Sequence, residues 1–132
     1  LSVARDWLKR TGGLIYLPET RPDCMIYRLW HEGAELRKDC AGIPYPQGEE
    51  ASKPPAMVVA PCVGYAESCR RLGYGGGYFD RYLASYGNQR PLAVGVAFDE
   101  LRVPEEIFES FDEPLDAVVT ERRIILKATA PL

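Results

Sequence analysis

"AMVVAPCVGYAESCRRLGYGGGYFDR", Ala56–Arg81, joins an apolar run to a cluster of glycines. It starts as a β-branched run ending at Pro61, crosses a loop, and reaches four glycines within Gly73–Gly77. A run able to form a helix follows. Glycine loses more backbone entropy on folding than any other residue, so this clustering signals a conformation or a close approach that a side chain would block. Strand, loop, glycines and helix in that order are the start of an α/β pattern.

Working outward, the same alternation continues. Leu1–Arg10 places apolar residues near a 3.6-residue period and stops at Gly12-Gly13, so the chain opens in or just before a helix. "LIYLPE" (Leu14–Glu19) and "CMIYRLW" (Cys24–Trp30) read as short strands. Cys40–Pro55 holds four prolines and reads as an irregular surface loop. Beyond the glycines, a helix is expected around Tyr78–Tyr86, ended by Gly87-Asn88, and a buried strand over Pro91–Phe98. Val103–Phe111 has an early proline and acids in its first turn, as a helix start should. Leu115–Glu121 reads as a strand, and "RRIILK" (Arg122–Lys127) as a last strand or hairpin arm. Strands alternating with helices predict an α/β fold with a mainly parallel sheet.

The 132 residues fit one domain, 1–132. Apolar residues make up 46% and charged ones 27%, the composition of a soluble globular chain. No apolar run approaches the roughly 18 residues that span a bilayer, and "LSVARDWLKRTGG" lacks the layout of a signal peptide. Both point to the cytosol and away from a membrane. A net charge of −3 argues against a nucleic-acid binder built on a basic surface. Cys24, Cys40, Cys62 and Cys69 form no C-x-x-C pair, and His31 is the one histidine, so a zinc site is not indicated. In a cytosolic chain the four cysteines are expected as free thiols.

The glycine stretch also carries chemistry. Ligands of open α/β sheets gather at the carboxyl ends of strands. Glycines let backbone N–H groups converge on an anion there, and the following helix end adds about half a positive charge. Arg71 stands just before the run and can pair with phosphate oxygens. Asp80 stands just after it, where a carboxylate beside phosphates is a natural Mg²⁺ ligand. Neither the P-loop nor G-x-G-x-x-G is reproduced, since Gly77 is followed by Tyr78-Phe79 and the third glycine comes one residue early. The combination suggests a nucleoside triphosphate site. A glycine-rich turn that only packs a helix against a sheet is the alternative.

"RLGYGGGYFDR" resembles the signature of the 5-formyltetrahydrofolate cyclo-ligase (5,10-methenyltetrahydrofolate synthetase) family. "AGIPYPQGEE", "MVVAPCVGY" and "FDEPLDAVVTE" resemble further family segments in order and spacing. The resemblance implies a three-layer α/β sandwich with a mainly parallel central sheet, Rossmann-like and of the NagB/RpiA/CoA-transferase-like kind. It implies ATP- and Mg²⁺-dependent closure of 5-formyltetrahydrofolate to 5,10-methenyltetrahydrofolate, releasing ADP and phosphate, by a monomer. Arg71, Leu72, Gly73, Tyr74, Gly75, Gly76, Gly77, Tyr78 and Phe79 would line the ATP phosphates. Of these, Arg71 and Tyr78 would act in catalysis, and Tyr74–Tyr78 would border the folate. Asp80 would hold Mg²⁺ with Asp112, while Asp116, at a strand start, would cap or pair. A non-catalytic folate- or nucleotide-binding relative, or an inactive fragment, is the alternative function. A phosphotransferase acting on another small molecule is a third.

This chain departs from the family at Tyr65-Ala66, where Phe-Asp is usual, at Cys69, where glycine is usual, and at Phe79, where a second tyrosine is more frequent. Family members usually carry a further N-terminal segment, with a basic helix and a strand followed by a folate-contacting glutamate, and this sequence starts after the place where that segment would stand. Other eye-catching residues have plain readings. His31 is expected at the surface, Trp7 and Trp30 in packing, Cys69 as an ordinary thiol, and Arg122-Arg123 as a solvated face.

Overall fold

A computed structural model describes residues 2–73, 76–109, 112 and 114–128, and the chain divides into two units, Leu1–Pro54 and Pro55–Leu132.

In the first unit, helix α1 (Ser2–Thr11) precedes an antiparallel hairpin of β1 (Ile15–Thr20) and β2 (Met25–Trp30), in register from Ile15↔Trp30 to Thr20↔Met25. Pro18 lies within β1, which a two-stranded hairpin tolerates because it has edges on both sides. Met25, Tyr27 and Trp30 bury themselves from β2, and Trp7 on α1 is half-exposed against Gly13. The segment expected to be wholly irregular contains β4 (Pro44–Pro46), paired antiparallel with β3 (Leu36–Lys38). Asp39 builds the turn between them. Its Oδ1 accepts the amides of Ala41 and Ile43, and its Oδ2 that of Thr20. Burial raises the Asp39 carboxyl, but those three amides outweigh it and hold the group below its usual range.

The second unit is built on a four-stranded sheet in the order β5 (Met57–Pro61), β8 (Leu92–Val96), β9 (Ala117–Val119), β10 (Ile124–Leu126). β5, β8 and β9 run parallel, with Met57↔Leu92 and Val94↔Ala117 in register, and β10 returns antiparallel. Between β5 and β8 lie the small hairpin β6 (Gly64–Tyr65) with β7 (Arg71–Leu72), and helix α2 (Tyr78–Ala84). One face of the sheet packs the core. Ala93, Val118 and Ile125 meet Cys62, Tyr65, Cys69, Leu83 and Leu115. Alternation along β5 makes that choice, with Val58 and Ala60 buried and Met57 and Val59 half-exposed.

Of the α-helix expected over Val103–Phe111, the described residues 103–109 form none. Glu105–Ile107 makes one 3₁₀ turn, and Phe108 is already extended. A single turn has little stability of its own. Here Glu105 is drawn outward instead, accepting the Ser68 amide at 2.8 Å and its hydroxyl at 2.7 Å. Among the described residues, no helix is long and apolar enough to cross a membrane, and Cys24, Cys40, Cys62 and Cys69 are free thiols, as expected.

Candidate active site

Arg71 is presented by the β6–β7 hairpin, where it pairs in register with the fully buried Tyr65. Its guanidinium donates to the Pro61 carbonyl from Nη2 at 2.9 Å and from Nε at 3.3 Å, so it sits at the carboxyl end of β5. The Phe79 ring lies 5.1 Å from its Cζ, close enough for a cation–π contact that needs no hydroxyl. Substituting phenylalanine for tyrosine here therefore keeps the arginine's partner.

The glycines answer for space and for backbone. A Cβ on Gly73 would stand 2.6 Å from Arg71 Nη2, and one on Gly76 2.8 Å from the Tyr78 ring. Gly77 caps α2 at φ +69°, a conformation that side chains disfavour. Arg81 then closes the turn, donating to the Gly76 carbonyl at 2.8 Å while its Cζ lies 5.0 Å from the Tyr78 ring. Leu72 continues β7 beside Gly64. Tyr74 and Gly75 lie outside the described residues. With seven residues, α2 is short, and the positive charge here comes from guanidinium groups more than from a helix end.

Asp80 occupies the first turn of α2. Arg71, Asp80 and Asp112 line one cleft of about 580 Å³, together with Asn88, Arg90 and Leu115. Asp112 is placed by its backbone, whose carbonyl accepts Arg70 Nε at 2.7 Å, and its Oδ2 accepts the Glu109 amide at 2.8 Å. Asp116 does pair and cap. Its Oδ2 accepts the Ala93 amide at 2.8 Å, and its Oδ1 faces Arg90 at 3.2 Å and Lys127 at 3.7 Å. No group of three or more histidine, cysteine or acidic side chains able to hold a metal occurs among the described residues.

Three features lay beyond the sequence reading. Arg90 and Asn88 enter the cleft from the end of the α2–β8 connection, and their one signal was a cation just ahead of a buried strand. Arg122 is exposed, as a solvated face requires, whereas Arg123 is half-buried and engaged. Arg123 donates to Asp99 at 2.8 Å, Glu67 at 2.7 Å and the Tyr65 hydroxyl at 3.1 Å. The tyrosine at position 65 supplies the hydroxyl that completes this cluster. Cys69 is fully buried at φ +70°, so it adopts the left-handed backbone that glycine would take, and the turn into Arg71 survives. Burial pushes the Cys69 and Cys62 thiols up, in Cys62 against the pull of Arg71, so neither is an activated nucleophile. A second cleft of about 440 Å³ is lined by Glu67, Arg102 and Glu105, of which Glu67 pairs with Arg102 and Arg123, and Glu105 with Arg70.

Comparison with known proteins decides the family. The model of the 5-formyltetrahydrofolate cyclo-ligase family matches residues 2–121. The chain belongs to this family. The 5-formyltetrahydrofolate cyclo-ligase of Escherichia coli K12 is 31% identical over 126 residues, covering 90% of this chain and 69% of that protein. A probable 5-formyltetrahydrofolate cyclo-ligase of Schizosaccharomyces pombe is 27% identical over 115 residues, covering 76% and 56%. The solved 5,10-methenyltetrahydrofolate synthetase of Aquifex aeolicus superposes with a TM-score of 0.77 at 26% identity, over 99% of this chain and 66% of that one. The synthetase of Mycoplasma pneumoniae gives 0.60 at 22% identity and supports the fold alone. The α/β class with a mainly parallel central sheet is thus the class of the cyclo-ligase family. The chain spans between about half and two-thirds of the length of these relatives.

Proposed function

We propose that this chain carries the family's reaction, the ATP- and Mg²⁺-dependent closure of 5-formyltetrahydrofolate to 5,10-methenyltetrahydrofolate with release of ADP and phosphate. The observation that carries the reading is the convergence of Arg71, Asp80 and Asp112 on one cleft from three separate parts of the chain.

The formyl oxygen on N5 is an amide oxygen and a poor leaving group. Bound ATP would supply the phosphoryl group that lets it leave, so that N10 can close the ring. The protein's share is then positioning and charge neutralisation. Arg71 would hold phosphate oxygens at the carboxyl end of β5, seated between Pro61 and Phe79. Leu72, Gly73, Gly76 and Gly77 would keep the backbone low enough for close approach to the phosphates, a role the family resemblance extends to Tyr74, Gly75 and Phe79. Tyr78 would border the folate, its ring held against Arg81.

Two carboxylates beside a phosphate-binding arginine are a donor set that fits Mg²⁺, a hard cation that takes oxygen ligands and keeps several waters. Asp80 and Asp112 would hold it, and it would offset phosphate charge. Asp112 keeps Oδ1 for this while Oδ2 serves the Glu109 amide. The chain would act in the cytosol as a monomer on a small molecule, without nucleic acid or membrane.

Incubation with 5-formyltetrahydrofolate, ATP and Mg²⁺ tests this reading through the near-ultraviolet absorbance of the methenyl product. The rise should require all three components, and Asp80→Asn should raise the Mg²⁺ concentration needed. Ligand binding by calorimetry without turnover would favour a binding-only relative, a reading to which the committed Oδ2 of Asp112 lends support.

A further inference from the structure

We propose that Arg90 is a second oxyanion anchor of the cleft, binding a phosphate or carboxylate group of the ligand away from Arg71. This rests on the nucleotide and folate reading above and extends it to a residue that reading does not use.

Among the described residues, four charged side chains line the cleft: Arg71, Arg90, Asp80 and Asp112. With Asp80 and Asp112 given to Mg²⁺, Arg71 and Arg90 are the two of these four that remain to meet the ligand's oxyanions.

Arg90 is also built to be released. Its side chain is 26% exposed, and its one hydrogen bond among the described residues runs from Nη2 to Asp116 Oδ1 at 3.2 Å. A guanidinium carries five N–H donors in a fork suited to paired contacts with carboxylate or phosphate. Asp116 does not depend on Arg90. Its Oδ2 accepts the Ala93 amide, its own amide donates to the Ala93 carbonyl at 2.9 Å, and Lys127 faces the same Oδ1. When Arg90 turns to a ligand, Lys127 keeps the carboxylate compensated.

The spacing suits a ligand with charge in more than one place. Arg71 is tied to Pro61, which pairs with Val96, whereas Asp116 is tied to Ala93, three residues earlier on β8. That is about 10 Å along the strand. A nucleotide phosphate chain and a folate glutamate tail both offer oxyanions over such a span.

Calorimetric titrations of the wild-type chain, Arg90→Met and Arg90→Lys with ATP, inorganic tripolyphosphate and 5-formyltetrahydrofolate, all with Mg²⁺, test the assignment. Arg90→Met should weaken the anchored ligand by about 10- to 100-fold, and Arg90→Lys should recover part of it. Loss for ATP and tripolyphosphate together identifies a phosphate. Loss for the folate, absent for its analogue without the glutamate, identifies a carboxylate. Wild-type affinity of Arg90→Met for every ligand overturns the inference, as does a uniform loss that lysine does not relieve. If Arg90→Met does not fold, Arg90→Gln, which retains an N–H for Asp116, takes its place. A wild-type chain that binds none of the three rejects the proposed function itself, a different result from failure at Arg90 alone.

Discussion

Arg71 donates to the carbonyl oxygen of Pro61 at 2.9 Å, which ties the residue before the glycine run to the last residue of β5. Pro61 and Arg71 are ten positions apart in sequence, yet this bond places a guanidinium where ligands of parallel sheets collect.

Gly73 protects that arrangement. A Cβ there would meet the Arg71 guanidinium at 2.6 Å, and the guanidinium is the movable end of a flexible side chain. Gly73→Ala should therefore leave stability within about 0.5 kcal/mol in chemical denaturation. It should weaken ATP binding by about tenfold, because the displaced arginine loses a charge-assisted contact. Unchanged affinity would show that the position of the guanidinium does not matter.

Cys69 is the one described non-glycine residue with positive φ, at +70°. Its buried thiol lies 3.5 Å from the Ile125 carbonyl, and its own carbonyl accepts the Leu115 amide at 2.9 Å. Alanine would keep the backbone strain and lose the sulfur, whereas glycine would lose the sulfur and relieve the strain. Cys69→Gly is expected to be more stable than Cys69→Ala by about 1 kcal/mol in urea unfolding. The reverse order would mean that the left-handed turn costs nothing at this site.

The cluster around Arg123 predicts acid sensitivity. The hydrogen bond from Arg123 is the main reason that Glu67 and Asp99 sit below their ordinary carboxylate values. Their contribution is complete above those ordinary values, about pH 4, and is lost as pH falls through the lower folded ones. Thermal melts should show Arg123→Met less stable than wild type at neutral pH, with the gap closing below about pH 4. A gap that stays constant with pH would assign the effect to packing.

Much of the second unit was legible because its signals are local. β5, β8 and β9 are short apolar runs bounded by proline or polar residues, and Gly77 takes the positive φ that a glycine cluster advertises. Asp80 and Asp112, singled out from the motif and the tail, line the same cleft. The failures were tertiary. "VPEEIFESF" carries helix-start signals, but Glu105 is engaged by the amide and hydroxyl of Ser68, a partner 37 positions away. Arg123 looked solvent-facing because its partners, Tyr65, Glu67 and Asp99, lie far away in sequence. Arg90 joins the cleft only through the fold, and no local pattern marks a cation that the next strand carries into place.

If this cleft binds a nucleotide through Arg71, removing that guanidinium must weaken the binding. Calorimetric titration of MgATP into the wild-type chain and Arg71→Ala tests it most directly. The wild type should bind at one site, and Arg71→Ala should bind at least about tenfold more weakly with its melting temperature unchanged. Equal affinity in both, or no binding to the wild type, would contradict the account.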